Sequence, residues 1–221
     1  MTLHNSPQPR LRHRRRIVAG VTGAIAAIAS IGLSAGPAEA ARIGGDHHSA
    51  TVVQRAELAL AAHDVFSVAG TPASFVSYLG ARDAAADAVA VEVGVDPVAM
   101  RAAWARGDTS HQEAVLAALT QLGKPYRHAT SDPAVGFDCS GLTAFAWSRA
   151  GVEIPHQSGS QISAAARRDA STAVAGDLLQ YPGHVMMWLG VGDAVVHASN
   201  PESDVELSLN SRSVRYGDPA A

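Results

Sequence analysis

The sequence predicts an α+β fold in which helices come first and strands afterwards. Three observations predict it. Apolar residues recur at helical spacing between helix-start signals from Thr51 to Leu122; short β-branched runs separated by Gly and Asp turns follow from Asp177 to Leu209; and the single cysteine, Cys139, stands between the two at the head of a helix-compatible segment. Segregated helices and strands of this kind suggest an antiparallel sheet covered by helices.

The first forty residues are set aside from the fold. Arg10, Arg12, Arg14, Arg15 and Arg16 form a positive leader, Ile17 to Leu33 is apolar and uncharged, and Ala38-Glu39-Ala40 has the form of a small-residue cleavage site. Residues 1–40 are therefore expected to be a signal peptide, with Arg14-Arg15-Arg16 leaving open a twin-arginine route. Cleavage after Ala40 leaves 181 residues, enough for one α/β domain of ordinary size with an extension. Five of the 17 Lys and Arg and one of the 20 Asp and Glu lie in the leader, so the remainder carries 12 against 19 and a net charge of −7. That balance argues against nucleic acid as a partner.

Residues 41–50 contain Gly and His without periodicity and are expected to be a flexible start; adjacent His47-His48 lacks the further ligands that a metal site needs. Thr51 to Phe66 reads as a helix. Thr71-Pro72 places an N-cap before a proline in the first helical turn, and Phe75, Leu79, Ala86, Val89 and Val93 mark an inward face until Gly94. Asp96-Pro97 repeats the start signal for a helix through Trp104 to Gly107. Ser110-His111-Gln112-Glu113 has the form of a capping box opening a helix with Val115, Leu116, Leu119 and Leu122 on one face. The division expected is a helical N-terminal region over 51–107 and a second domain over 108–221. Beyond Tyr126 come a loop, the Cys139 helix to about Gly151, a short helical piece from Ser160 to Ala166, and strands over 177–181, 184–189, 194–198 and 205–209.

A lone buried cysteine is more often a small core hydrophobe than a reagent. An exported chain with one thiol cannot form an internal disulfide, however, and such a leftover thiol is a candidate for reactivity. A helix N-terminus and a neighbouring imidazolium both favour the thiolate, and Cys139 has the first from its own helix. Asp138 is the natural N-cap of that helix. His184 opens a strand directly after Pro182-Gly183, and His197 lies thirteen residues on, in a second strand that can pair with the first. His184 can then be the base and His197 the group that fixes its tautomer. Zinc held by Cys139, His184 and His197 is a competing reading without tight ligand spacing or an evident fourth ligand.

These residues carry a resemblance. Gly123-Lys124-Pro125-Tyr126, Asp138-Cys139-Ser140-Gly141, Ile154-Pro155-His156-Gln157-Ser158 with Gln161, Gly176-Asp177-Leu178, Gly183-His184-Val185, Leu189-Gly190 and Val196-His197-Ala198 occur in the order found in the NlpC family of bacterial cell-wall cysteine endopeptidases, and residues 112–209 resemble that family. The resemblance implies a papain-like fold, with Cys139 as nucleophile, His184 as general base and then acid, and His197 as the orienting group. It also implies that Tyr126 stabilises an oxyanion or positions substrate, with Ser140 beside it at the start of the Cys139 helix. The substrate implied is the peptidoglycan stem peptide, cut between D-γ-glutamate and a diamino acid such as meso-diaminopimelate. Gln180-Tyr181-Pro182 departs from the family, which often has paired aromatic residues there, and the turn from His184 to His197 is one residue longer.

The expectation is a secreted, cell-wall-associated monomeric peptidase with no cofactor or metal and no stable membrane association once the leader is cut. Two alternatives stay open: an N-acetylmuramoyl-L-alanine amidase or acyltransferase using the same Cys-His pair, and a non-catalytic wall-binding module.

Overall fold

The computed structural model describes residues 46–221. The expected signal peptide lies outside them, as does the first half of the expected flexible start. Four helices open the described chain: α1 (Asp46–Ala69), α2 (Pro72–Val93), α3 (Pro97–Arg106) and α4 (Thr109–Leu119). Helix α1 begins at Asp46, so the second half of the stretch expected to be flexible is helical. Among the described residues no helix is long and apolar enough to cross a membrane.

The helix ends follow from local chemistry. Thr71 caps α2 and exchanges bonds with Ser74, and Gly94 closes it in the left-handed conformation at φ 75°. Asp96 caps α3 ahead of Pro97. Two expectations need correction. The cap of α4 is Asp108 rather than Ser110, because the Asp108 carboxylate accepts from the His111 N–H at 2.9 Å and from the Ser110 hydroxyl at 2.7 Å, turning the serine into a donor. The inward face of α2 runs through Ser74, Tyr78, Arg82 and Val89, and Phe75 is 42% exposed. Tyr78 wins the interior position because its hydroxyl reaches Gln112 at 2.6 Å, which satisfies the polar end of a buried ring.

A two-stranded ribbon, β1 (Ser131–Asp132) and β2 (Gly136–Phe137), precedes α5 (Cys139–Arg149), and α6 (Ser158–Ala164) follows. The main sheet is formed by β3 (Ala166–Arg168), β4 (Leu178–Tyr181), β5 (His184–Trp188), β6 (Ala194–Ala198), β7 (Val205–Leu209) and β8 (Arg215–Asp218) in the order β3-β8-β4-β5-β6-β7, antiparallel throughout. The four expected strands are present; β3 and β8 are additions, and β3 begins at Ala166, the expected last residue of the short helix, which ends at Ala164.

Strand alternation divides the sheet residues between two cores. Leu178, Val185, Met187, Ala194 and Val196 join one buried cluster with Trp104, Leu116, Leu119, Leu142 and Trp147 from the helices, whereas Leu179, Met186, Trp188 and Val195 pack together on the other side. The first cluster runs continuously from Val52 in α1 to Val205 in β7. The buried Trp104 indole also donates to the Leu189 carbonyl at 3.0 Å, tying α3 to the end of β5. The result is a helix carrying Cys139 laid on an antiparallel sheet, the papain-like α+β arrangement, with its N-terminus at the rim where β5 begins.

Candidate active site

The turn before α5 is built around Asp138. One carboxylate oxygen accepts from the Gly141 N–H at 2.7 Å and the Ser140 hydroxyl at 3.0 Å and lies 3.0 Å from His156 Nε2; the other accepts from the Ala129 N–H at 2.7 Å. Burial would raise the Asp138 pKa, but these donors outweigh it and hold the carboxyl below its usual range. Asp138 thus caps the helix as a charged group. Gly141 is required by close approach: a Cβ there would collide with the Thr130 carbonyl and with His156. The Ser140 hydroxyl is committed to Asp138, so only its backbone N–H is left for the thiol side of the turn.

Cys139 is half-buried. The backbone N–H groups of Val185, Ser140 and Cys139 itself favour its ionised form. Burial nevertheless pushes the thiol pKa up, the Asp138 charge adds to this, and the three N–H groups do not overcome them. The helix N-terminus was expected to favour a thiolate; in the free site desolvation wins, and the resting group is a thiol. Tyr126 lies within electrostatic reach: burial, then the charges of Cys139 and Asp138, raise its pKa, so its phenol remains a donor at neutral pH.

His184 and His197 fall at strand positions of the same parity, one on each of two paired strands, and both are buried. His184 Nε2 lies 2.8 Å from His197 Nδ1. His197 Nε2 in turn lies 3.0 Å from the Ser208 hydroxyl and 3.6 Å from a Glu206 carboxylate oxygen, both on β7. A carboxylate near that nitrogen favours a proton on it. His197 Nδ1 is then the acceptor, His184 Nε2–H the donor, and His184 Nδ1 the lone pair left over, an assignment made from the network. Burial lowers the pKa of both imidazoles to about 4; the Arg212 charge assists at His184 and the His184 charge at His197. The residue bearing the free lone pair is the chain neighbour of Val185, the backbone group that most favours ionisation of the thiol. A neutral thiol and a neutral imidazole are what a general-base attack requires as its starting state.

All the site residues named from sequence therefore gather at the rim formed by the α5 N-terminus and the start of β5. Sequence reasoning missed Ser208, Glu206 and Arg212. The alternation in Val205–Leu209 signalled a strand, but its partner was not assigned, and the register His197↔Glu206 is what puts its polar side chains against His197.

Metal donors come together elsewhere. His63, Asp64 and Glu113 form one group and His111, Asp177 and Asp218 another, each within 4.8 Å. In the second, His111 Nε2 is 3.2 Å from Asp177 and 3.3 Å from Asp218, and Nδ1 is 2.8 Å from Asp108. Both ring nitrogens thus meet carboxylates at hydrogen-bond distance, which suits a protonated imidazole. Burial would lower the His111 pKa, but the bonds to Asp177 and Asp108 and the charges of Asp108 and Asp218 raise it to about 9.

The model of the NlpC/P60 family matches residues 123–216. Among curated proteins, the chain is 38% identical over 120 residues to a Corynebacterium glutamicum (strain R) protein named "Probable endopeptidase", covering 53% of this chain and 55% of that one. It is 33% identical over 96 residues to the bifunctional muramidase/DL-endopeptidase CwlT of Bacillus subtilis (strain 168), covering 39% of this chain and 29% of CwlT. Among solved structures it is similar to the P60 domain of a M. avium subspecies paratuberculosis antigen, at 30% identity and a TM-score of 0.45, covering 51% of this chain and 96% of that one. The chain thus spans about half the length of the first curated relative and less than a third of the second. The segment 123–216, which holds Tyr126, Cys139, His184 and His197, is the part of the chain that matches the NlpC/P60 family.

Proposed function

We propose that this protein is a secreted peptidoglycan endopeptidase that hydrolyses stem peptides, between D-γ-glutamate and meso-diaminopimelate, through a thioester on Cys139. The observation that carries the reading is the pairing of His184 Nε2 with His197 Nδ1 at 2.8 Å, which leaves His184 Nδ1 as the ring nitrogen free to take a thiol proton. The matched relatives named as endopeptidases support the same class of substrate.

In the proposed reaction His184 Nδ1 takes the thiol proton as the sulfur attacks the scissile carbonyl. The negative charge moves to the carbonyl oxygen, where backbone N–H groups of the first α5 turn and the Tyr126 phenol can receive it. His197 holds the imidazolium through its Nδ1, and its own Nε2–H is held by Ser208 and Glu206. Collapse of the tetrahedral adduct breaks the amide, and His184 returns its proton to the departing amine. Water, deprotonated by the same nitrogen, then releases the acyl half and restores the thiol.

Cys139→Ala should lower stem-peptide release from purified wall by at least ~10³-fold, the scale for removing a nucleophile, with the melting temperature retained. Mass spectrometry of the digest places the cut within the stem, whereas an amidase would free the sugar from L-alanine. Release undiminished by the substitution would rule out the thiol mechanism.

A further inference from the structure

Several arginines of the described chain are held by polar side chains: Arg82 by Asp83, Arg101 by Asp87, Arg168 by Asp218, and Arg215 by the Gln180 side-chain oxygen. Arg212 is different. Among the described residues no carboxylate lies within ion-pair distance of it, and its guanidinium carbon sits 4.8 Å from the centroid of the Tyr181 ring. That ring lies 5.1 Å from the His184 ring, and Tyr181 is the register partner of His184 in the β4–β5 ladder. The backbone beneath Arg212 is clamped. Its N–H donates to Asn210 Oδ1 at 3.1 Å, its carbonyl accepts from Asn210 Nδ2 at 2.8 Å, and the Asn210 N–H donates to the Asp193 carbonyl at 2.8 Å. An exposed, unpaired, planar cation is thus stacked on a ring that leans on the base.

We propose that Arg212 binds a carboxylate on the leaving-group residue of the substrate and so sets which stem peptides are cut. The inference rests on the endopeptidase reading. His184 must hand its proton to the departing amine, so the residue carrying that amine lies along the His184–Tyr181–Arg212 edge. A meso-diaminopimelate residue keeps a second carboxylate on its side chain, lysine has none, and amidation removes the charge. The guanidinium fork matches a carboxylate in two parallel hydrogen bonds. Left alone, the Arg212 charge opposes the imidazolium that attack must create at His184; a bound carboxylate cancels that opposition. Substrate recognition and the strength of the base are coupled by one contact.

The test compares kcat/KM of the full chain on three synthetic stem tetrapeptides: free-carboxylate meso-diaminopimelate, the same residue with its side-chain carboxylate amidated, and L-lysine. The expected preference for the free carboxylate is about tenfold, the scale of one exposed charge-assisted pair. Arg212→Gln should remove that preference, slowing the free-carboxylate substrate while the other two are cleaved no more slowly than before, and Arg212→Lys should restore part of it, with melting temperatures unchanged. Equal rates of the unsubstituted protein on all three, or an equal fall on all three in Arg212→Gln, would overturn the inference while leaving the endopeptidase reading intact. Cleavage of none of the three by the unsubstituted protein would overturn both.

Discussion

His184 and His111 are buried to nearly the same degree, 6% and 3% exposed, in the same α+β body. Their neighbours differ in kind. His184 meets another imidazole, a tyrosine ring and the Arg212 cation, so burial goes unopposed and its pKa falls to about 4. His111 meets Asp108, Asp177 and Asp218, whose bonds and charges overcome burial and lift it to about 9. The lesson is that desolvation alone does not fix the state of a buried histidine. The neutral one can accept a proton during a reaction; the charged one has no lone pair to offer and ties α4 to the starts and ends of β4 and β8.

Substitution should separate the two roles most sharply. His184→Ala is expected to cost about 10³-fold or more in stem-peptide hydrolysis with little change in melting temperature. His111→Ala should leave buried carboxylates without their cation and cost about 3–5 kcal/mol in stability, measured by denaturant unfolding, while each folded molecule stays active. Activity lost and stability kept in both variants would erase the distinction.

The pH dependences should have opposite signs. For His111 the folded pKa lies above the ordinary 6.5, so its stabilisation is complete below 6.5 and is lost as pH rises through about 9. The amount is on the order of 3 kcal/mol, from 1.36 kcal/mol per unit. For His184 and His197 the folded pKa lies below 6.5, so the unfolded chain takes up protons first and their contribution falls as pH drops from 6.5 towards 4. Hydrolysis needs His184 unprotonated, so kcat/KM should fall only as pH drops through about 4. Thermal melts and a pH–rate profile check the two limbs; an acid limb near 6.5 would mean that His184 is not desolvated in solution.

The smallest effect expected is at Ser208. Removing its hydroxyl in Ser208→Ala leaves Glu206 to orient His197 and should slow hydrolysis a few-fold, on the order of 1 kcal/mol for one hydrogen bond. The double change Ser208→Ala with Glu206→Gln should exceed the sum of the two singles if both hold the same nitrogen.

Much of this was legible in the chain. Cys139 stood out because a sequence expected to be exported and holding one thiol can form no internal disulfide, and His184 and His197 because each lies in a short strand-like run near a turn. The hydrogen-bonded capping of α2 and α3 was written in Thr71-Pro72 and Asp96-Pro97. What the sequence hid was tertiary. His111 and Asp177 are 66 positions apart, and no local pattern joins them. The cap of α4 is a local matter that the Ser110 pattern obscured, since Asp108 is chosen partly by the His111 ring it also holds three positions on. Phe75 and Tyr78 both fit an amphipathic stripe, and only the Gln112 partner decides which goes inside. The raised thiol pKa was hidden because helix position is a local property and burial is not. Arg212 was hidden because a turn between two strands gives no sign of which ring its side chain will cover.

The central claim is that the imidazole beside Cys139 rests neutral with its proton on Nε2 while the carboxylate-bound imidazole rests charged. Long-range ¹⁵N–¹H correlation spectra of the histidine rings at pH 6 test it most directly. The account predicts a neutral Nε2–H tautomer for His184 and a doubly protonated ring for His111. A doubly protonated His184, or a neutral His111, at that pH would contradict it.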